Sequence, residues 1–166
     1  MNSSSLVALL ASLCLATFSL HAQQRKVIDV RGIYIGMTEE QLTSLHGPSP
    51  LRDFSVAGIS SVKDKTHVYF HDGRVDAIGF YFASDDFPEM RKAFREKYPK
   101  AQCIHSRATN LFGAQLQQVR CRVSDQDSIL TLTRYGLDAV TSSLTMSSTR
   151  LEKQLNQQAQ QKRREF

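Results

Sequence analysis

THVYFHDGRVDAIGFYFA, residues 66–83, is the stretch that decides the fold class. Two runs rich in β-branched and aromatic residues flank Asp72-Gly73, a pair that accepts the positive φ angles of a two-residue hairpin turn. With those two residues as the loop, His71 is expected opposite Arg74, Phe70 opposite Val75 and Tyr69 opposite Asp76. One face is then expected to carry Val68, Phe70, Val75, Ala77 and Tyr81. The other carries His67, Tyr69, His71, Arg74 and Asp76, and ends in Ile78, Phe80 and Phe82.

Helices flank this hairpin on both sides in the sequence. Upstream, Gly-Met-Thr-Glu-Glu-Gln-Leu holds Thr38 with Gln41 three residues on, the spacing of a capping box. Leu42 and Leu45 mark an apolar face, and Gly47-Pro48 stops the helix. Downstream, residues 84–101 read as a second helix. Asp86, Glu89 and Pro88 serve as its start signals, Phe87, Met90, Phe94 and Tyr98 form one face, and Pro99 ends it. Residues 27–35 read as a first strand or a lead-in, and 51–61 as a strand or extended loop. After a segment around Cys103, strands are expected at roughly 114–123, 128–135 and 139–147. In the last two, Leu130, Leu132, Val140, Leu144 and Met146 alternate with Thr131, Thr133, Thr141, Ser143 and Thr145. That pattern predicts one apolar face and one hydroxyl-rich, wet face of an antiparallel sheet.

The expected fold class is α+β: short helices packed on an antiparallel sheet. Its order suggests two tandem helix-plus-sheet halves, about 27–83 and 84–147, within a single domain spanning 23–147. A basic, Gln-rich tail helix follows over 148–166. Thr149 and Glu152 give it a second capping box, and Leu151, Leu155 and Ala159 a thin apolar stripe.

The start of the chain reads as an address. Residues 6–20, LVALLASLCLATFSL, form an uncharged apolar run. It is shorter than the roughly 20 residues a spanning helix needs and fits a signal-peptide core. Cleavage is expected between Ala22 and Gln23, although Leu20 is large for its place and no Lys or Arg precedes the run. Lipid attachment at Cys14 is the alternative, but Leu13 is not the small residue such a site needs. Removing 1–22 leaves Cys103 and Cys121, an even count that favours a disulfide in an exported chain. Periplasmic or secreted localisation is therefore expected.

The net charge of +5 is concentrated late, with Arg150, Lys153, Lys162, Arg163 and Arg164 against Glu152 and Glu165. A basic tail of this kind can touch anionic lipid or peptidoglycan. It is the expected route of any membrane contact, while export argues against nucleic acid. Catalytic signatures are missing: there is no GxSxG, P-loop or HExxH. Asp85-Asp86 sits where a helix N-terminus attracts acid, and Cys121 is expected in the disulfide. His67 and His71 invite a metal reading, but four residues along a strand span about 13 Å, too far for one ion. No cofactor, metal or enzymatic activity is expected. The four polar residues His67, Tyr69, His71 and Arg74 are the expected binding face, with the hydroxyl-rich face of the later sheet as the alternative.

The segment GIYIGMTEEQLTSLHGPSPLRDF resembles the opening of the SmpA/OmlA (BamE-like) family of small envelope proteins. Gly36, Met37, Thr38, Glu40, Gln41, Leu45 and Gly47 match, with Pro48 one place early. The resemblance implies helices packed on an antiparallel sheet and a role in protein binding. The tandem layout is also similar to the β-lactamase-inhibitor-protein fold. The chain departs from the family in lacking a good lipid-attachment site and in its second half, from Ser84 onward. The expected partner is another envelope protein. Inhibition of a secreted enzyme or toxin and a structural role in the envelope are the alternatives.

Overall fold

A computed structural model describes residues 27–48, 54–62, 65–109, 113, 115–134 and 140–164. The expected signal segment, including Ala22 and Gln23, lies outside them. The fold is α+β, with three helices, a six-stranded antiparallel sheet and a small two-stranded one. Helix α1 spans Glu39–His46, and strands β1 (Ser55–Val56) and β2 (Ile59–Ser60) pair with each other. Strands β3 (Thr66–His71) and β4 (Arg74–Ala83) form the hairpin, and helix α2 is Phe87–Lys97. A meander follows: β5 (Gln102–Thr109), β6 (Gln115–Ser124), β7 (Ser128–Arg134) and β8 (Thr141–Ser148), leading into α3 (Thr149–Arg164). The sheet order is β3-β4-β8-β7-β6-β5. The two halves thus share one sheet, joined where β4 pairs with β8.

The local chemistry explains the elements. In α1 the capping box forms: the Gln41 amide donates to Thr38 Oγ1 at 3.3 Å and the Thr38 amide to Gln41 Oε1 at 2.9 Å. Gly47, at φ +83°, closes the helix with its N–H on the Thr43 carbonyl. Leu42 is buried, but Leu45 is half-exposed and lies over Gly32. Gly32 is at φ +82°, a conformation that favours glycine, and a Cβ there would press on Leu45 Cδ2 at 3.0 Å. Together with Arg31, also at positive φ, it makes a tight turn that links Val30 to Ile33, so the segment is a lead-in and not a strand.

Helix α2 begins through a 3-10 turn, Ser84–Asp86, and Asp86 makes no side-chain cap, contrary to expectation. The helix starts instead on the Phe87 amide donating to the Ser84 carbonyl, and Ser84 Oγ lies 3.1 Å from Ser142 Oγ of β8. Phe87, Met90 and Phe94 are buried as the spacing predicts, and Tyr98 packs its ring on Phe94.

The hairpin turn lies at Asp72 and Gly73, both at positive φ, and His71 faces Arg74 and Phe70 faces Val75. The register then shifts: Tyr69 faces Ala77, not Asp76, because a β-bulge leaves Asp76 as the extra residue. One extra residue reverses the parity of everything beyond it. Ile78, Phe80 and Phe82 therefore share the buried face with Val68, Phe70 and Val75, and Tyr81 moves to the face of His67 and Tyr69. Uninterrupted alternation would have put Ala77 and Tyr81 with Val75 and left Ile78, Phe80 and Phe82 on the opposite face.

The core lies between that sheet face and the helices. Val75, Ile78, Phe80, Leu130, Leu132, Leu144, Met146 and Cys121 from the sheet pack with Leu42 of α1, Phe87, Met90 and Phe94 of α2, and Ile28, Val30 and Ile33 from the lead-in. A disulfide joins Cys103 and Cys121, which face each other across β5 and β6. It is compatible with an oxidising, exported location. The hydroxyl-rich face is less wet than expected: Thr131, Thr145 and Ser147 are half-buried, but Thr133 and Ser143 are buried. Val140 is exposed and precedes β8.

Two polar clasps fix the lead-in and the start of α3 to the sheet. Asp125, in the β6–β7 turn, accepts from the Ile28 amide, the Asp127 and Ser128 amides and the Ser128 hydroxyl. Partial burial works against its charge, but these four donors outweigh that and hold its carboxyl below the ordinary carboxylate range. A lowered folded-state pKa gives stability that is present above the unfolded value and lost as pH falls through the folded one. Asp125→Ala is therefore expected to cost roughly 1–3 kcal/mol at neutral pH. The variant should also lose less stability than the parent in urea titrations taken below about pH 4. Equal acid sensitivity of the two proteins would remove Asp125 from this role.

The second clasp holds α3. Its cap is Ser148, not Thr149: Ser148 Oγ accepts from the Leu151 amide and donates to Asp76 at 2.6 Å. Asp76, the bulge residue, also takes Arg150 at 2.6 Å. Thr149 instead ties to the β6–β7 turn through the Asp127 and Gln126 carbonyls, and Glu152 receives Ser147 Oγ. From Lys153 to Arg164 every residue of α3 is exposed. No helix among the described residues is long and apolar enough to cross a membrane.

Candidate binding surface

The hairpin places β3 at one edge of the six-stranded sheet, with its second side unpaired among the described residues. Period-two geometry puts His67, Tyr69 and His71 on the face away from the core. The bulge adds Tyr81 to that face. His67 lies between the two tyrosines, its ring centre 6.4 Å from each. Tyr69 is 58% exposed, and next to it Phe70, on the other face, is 40% exposed. An edge strand thus presents adjacent large aromatic side chains to solvent on both of its faces.

The four expected face residues do not act as one set. His67 and Tyr69 come together. His71 stands at the hairpin tip, with Nε2 3.3 Å from Asp72, and both groups are exposed. Arg74 turns away and donates from Nη1 to the Gly36 carbonyl at 2.9 Å. It locks the Gly-Met-Thr turn onto β4, alongside the backbone bonds Gly36 N–H to Val75 O and Val75 N–H to Met37 O. Tyr81 and Phe70 are the surface residues that the sequence reading left out of the binding face. The signal for Tyr81 was the run Ile78, Phe80, Phe82, whose parity conflicts with Val75 unless a residue is inserted.

A cleft of about 200 Å³ lies over the core, lined by Met90, Phe94, Leu130 and Leu144 among others. Its rim is closed by polar contacts: Lys97 Nζ reaches both Asp29 carboxylate oxygens at 3.0 Å, and the Tyr98 hydroxyl donates to the Asp29 carbonyl at 2.8 Å. Burial lowers the Lys97 pKa, but the hydrogen bond and charge of Asp29 outweigh it, so the ammonium is held above its ordinary value. The cleft is smaller than the 300 Å³ or so at which small-molecule sites begin. Among the described residues, no group of three or more His, Cys, Asp or Glu side chains is placed to hold a metal ion.

No family model, curated protein or solved structure matches this chain.

Proposed function

We propose that the chain is an exported, non-catalytic protein-binding module of the periplasm, and that it engages its partner at the β3 edge. The observation that carries this is the exposure of Tyr69 and Phe70, consecutive residues on opposite faces of a strand whose second side is unpaired among the described residues. Buried aromatic anchors dominate binding energy at protein interfaces, and tyrosine is enriched among them. Single exposed apolar residues are ordinary, but here His67 and Tyr81 extend the aromatic surface along the outer face. The family-like opening and the Cys103–Cys121 disulfide support the envelope setting, and the apolar run at residues 6–20 supports export.

The test is site-specific photo-cross-linking in cells. A photoreactive aromatic residue at position 69 is expected to give a discrete adduct with one envelope protein. The same residue at the exposed position 92 on α2 should give none. The purified protein should have the intact mass of a chain beginning at Gln23. Adducts equally abundant from both positions, or none from position 69, would refute the binding surface; retention of residues 1–22 would refute export.

A further inference from the structure

Among the described residues the opposite edge of the sheet is β5, and it differs in kind. It pairs with β6 over eight consecutive positions, Gln102–Arg122 through Thr109–Gln115, with no register shift. It contains no proline or glycine. Natural sheets commonly blunt an edge with a bulge, a proline, a very short strand or charge. Of these β5 carries only charge, and of one sign. On β5 itself that charge is Arg107; on β6, Arg120 and Arg122 stand opposite Ile104 and Gln102, Arg122 3.8 Å from Glu152, and residues 102–124 hold no Asp or Glu.

The disulfide shows which backbone groups the edge presents. Cys103 and Cys121 are directly opposed with Cα atoms 3.9 Å apart, the close spacing of a non-hydrogen-bonded antiparallel pair. In such a pair the N–H and C=O groups of both residues point away from each other. Cys103, and by alternation His105 and Arg107, therefore direct their backbone N–H and C=O outward. Ile104 and Ser106 spend theirs on β6. The side chains alternate too. His105 and Arg107 share one face, and Ile104, 67% exposed, lies on the other.

We propose that β5 is a strand-addition site for an extended segment of a partner protein in which acidic and apolar residues alternate. The acidic residues lie beside His105 and Arg107, and the apolar ones beside Ile104. Main-chain bonds to His105 and Arg107 supply the affinity, as in other strand additions, and charge supplies the selection. This site is separate from the β3 surface, and its failure would leave the cross-linking result at position 69 untouched.

The experiment uses the oxidised mature protein and an end-blocked octapeptide of alternating Glu and Val, with a Lys/Val octapeptide as control. The Glu/Val peptide is expected to bind and the Lys/Val peptide to bind at least about tenfold more weakly. Hydrogen exchange should show new protection of the His105 and Arg107 amides, with Ile104 and Ser106 already slow in the free protein. His105→Pro removes an outward N–H without breaking a bond to β6, the position at which an edge strand tolerates proline. It should weaken binding about tenfold, whereas His105→Ala, which keeps the N–H, should lose less than about threefold. Three results would overturn the proposal. The first is equal binding of both peptides. The second is no protection at His105 and Arg107. The third is a folded His105→Pro variant that binds as the parent does, the mark of a surface that attracts any polyanion by charge alone.

Discussion

Replacing Cys103 and Cys121 together by alanine is expected to destabilise the protein by about 3 kcal/mol, the loop-entropy value for a bridge of this span. The two residues are 18 apart in sequence. The loss falls on the weakest part of the sheet. Among the described residues strand β5 has a single neighbour, and Ile104, His105, Ser106 and Arg107 are all exposed, so little apolar burial holds it in place. Cys121 is fully buried in the core while Cys103 is only partly so, which makes the bridge the main link from β5 to the core. Urea unfolding should show the double variant and the reduced parent agreeing within about 1 kcal/mol. Hydrogen exchange should show β5 opening first in both. A double variant within about 0.5 kcal/mol of the oxidised parent would mean that β6 alone holds β5.

The elements legible in the sequence are those whose signals are local. The Thr38–Gln41 box, the Asp72-Gly73 turn and the stripe Phe87, Met90, Phe94 each lie within a few residues, and each forms. What escaped is set by distant parts of the chain. The bulge at Asp76 is stabilised from the far end of the sequence, by Ser148 and Arg150. Its trace is only the clash of parity between Val75 and Ile78. The segment around Cys103 carries no strand signal, because an edge strand with exposed side chains need not alternate, yet it forms β5. Thr133 and Ser143 were expected in water, since a hydroxyl's burial depends on what lies over it and not on its own period.

The binding surface divides in the same way. His67 and Tyr69 follow from period two on a strand. Arg74 looks like a third member until the fold brings the Gly36 carbonyl to it from 38 residues away. A positive charge beside two aromatic residues suggests recognition in sequence, but in the folded protein that guanidinium is a structural tie. The swap of Arg74 for Tyr81 changes the character of the surface from charged to aromatic.

Phe80→Ala is expected to cost about 3–5 kcal/mol, the range for emptying a buried aromatic site. Phe80 is fully buried on β4, where that strand joins the two halves of the sheet. It faces Leu144 of β8 and Thr66 of β3, stacks on Phe82 at 5.8 Å and takes the edge of Phe54 at 5.9 Å. Truncation leaves a cavity bordered by both halves, and stiff sheet neighbours on either side limit collapse. One cooperative urea transition at a lower midpoint with an unchanged slope is expected, since both halves share this core. Tyr69→Ala, on the other face of the neighbouring strand, should stay within about 0.5 kcal/mol of the parent. The contrast separates the two faces of one hairpin: the bulge at Asp76 sends Phe80 inward to stability and leaves Tyr69 outward for recognition. Two separate transitions in Phe80→Ala would show instead that the halves hold independent cores and that the β4–β8 seam is only a contact between them.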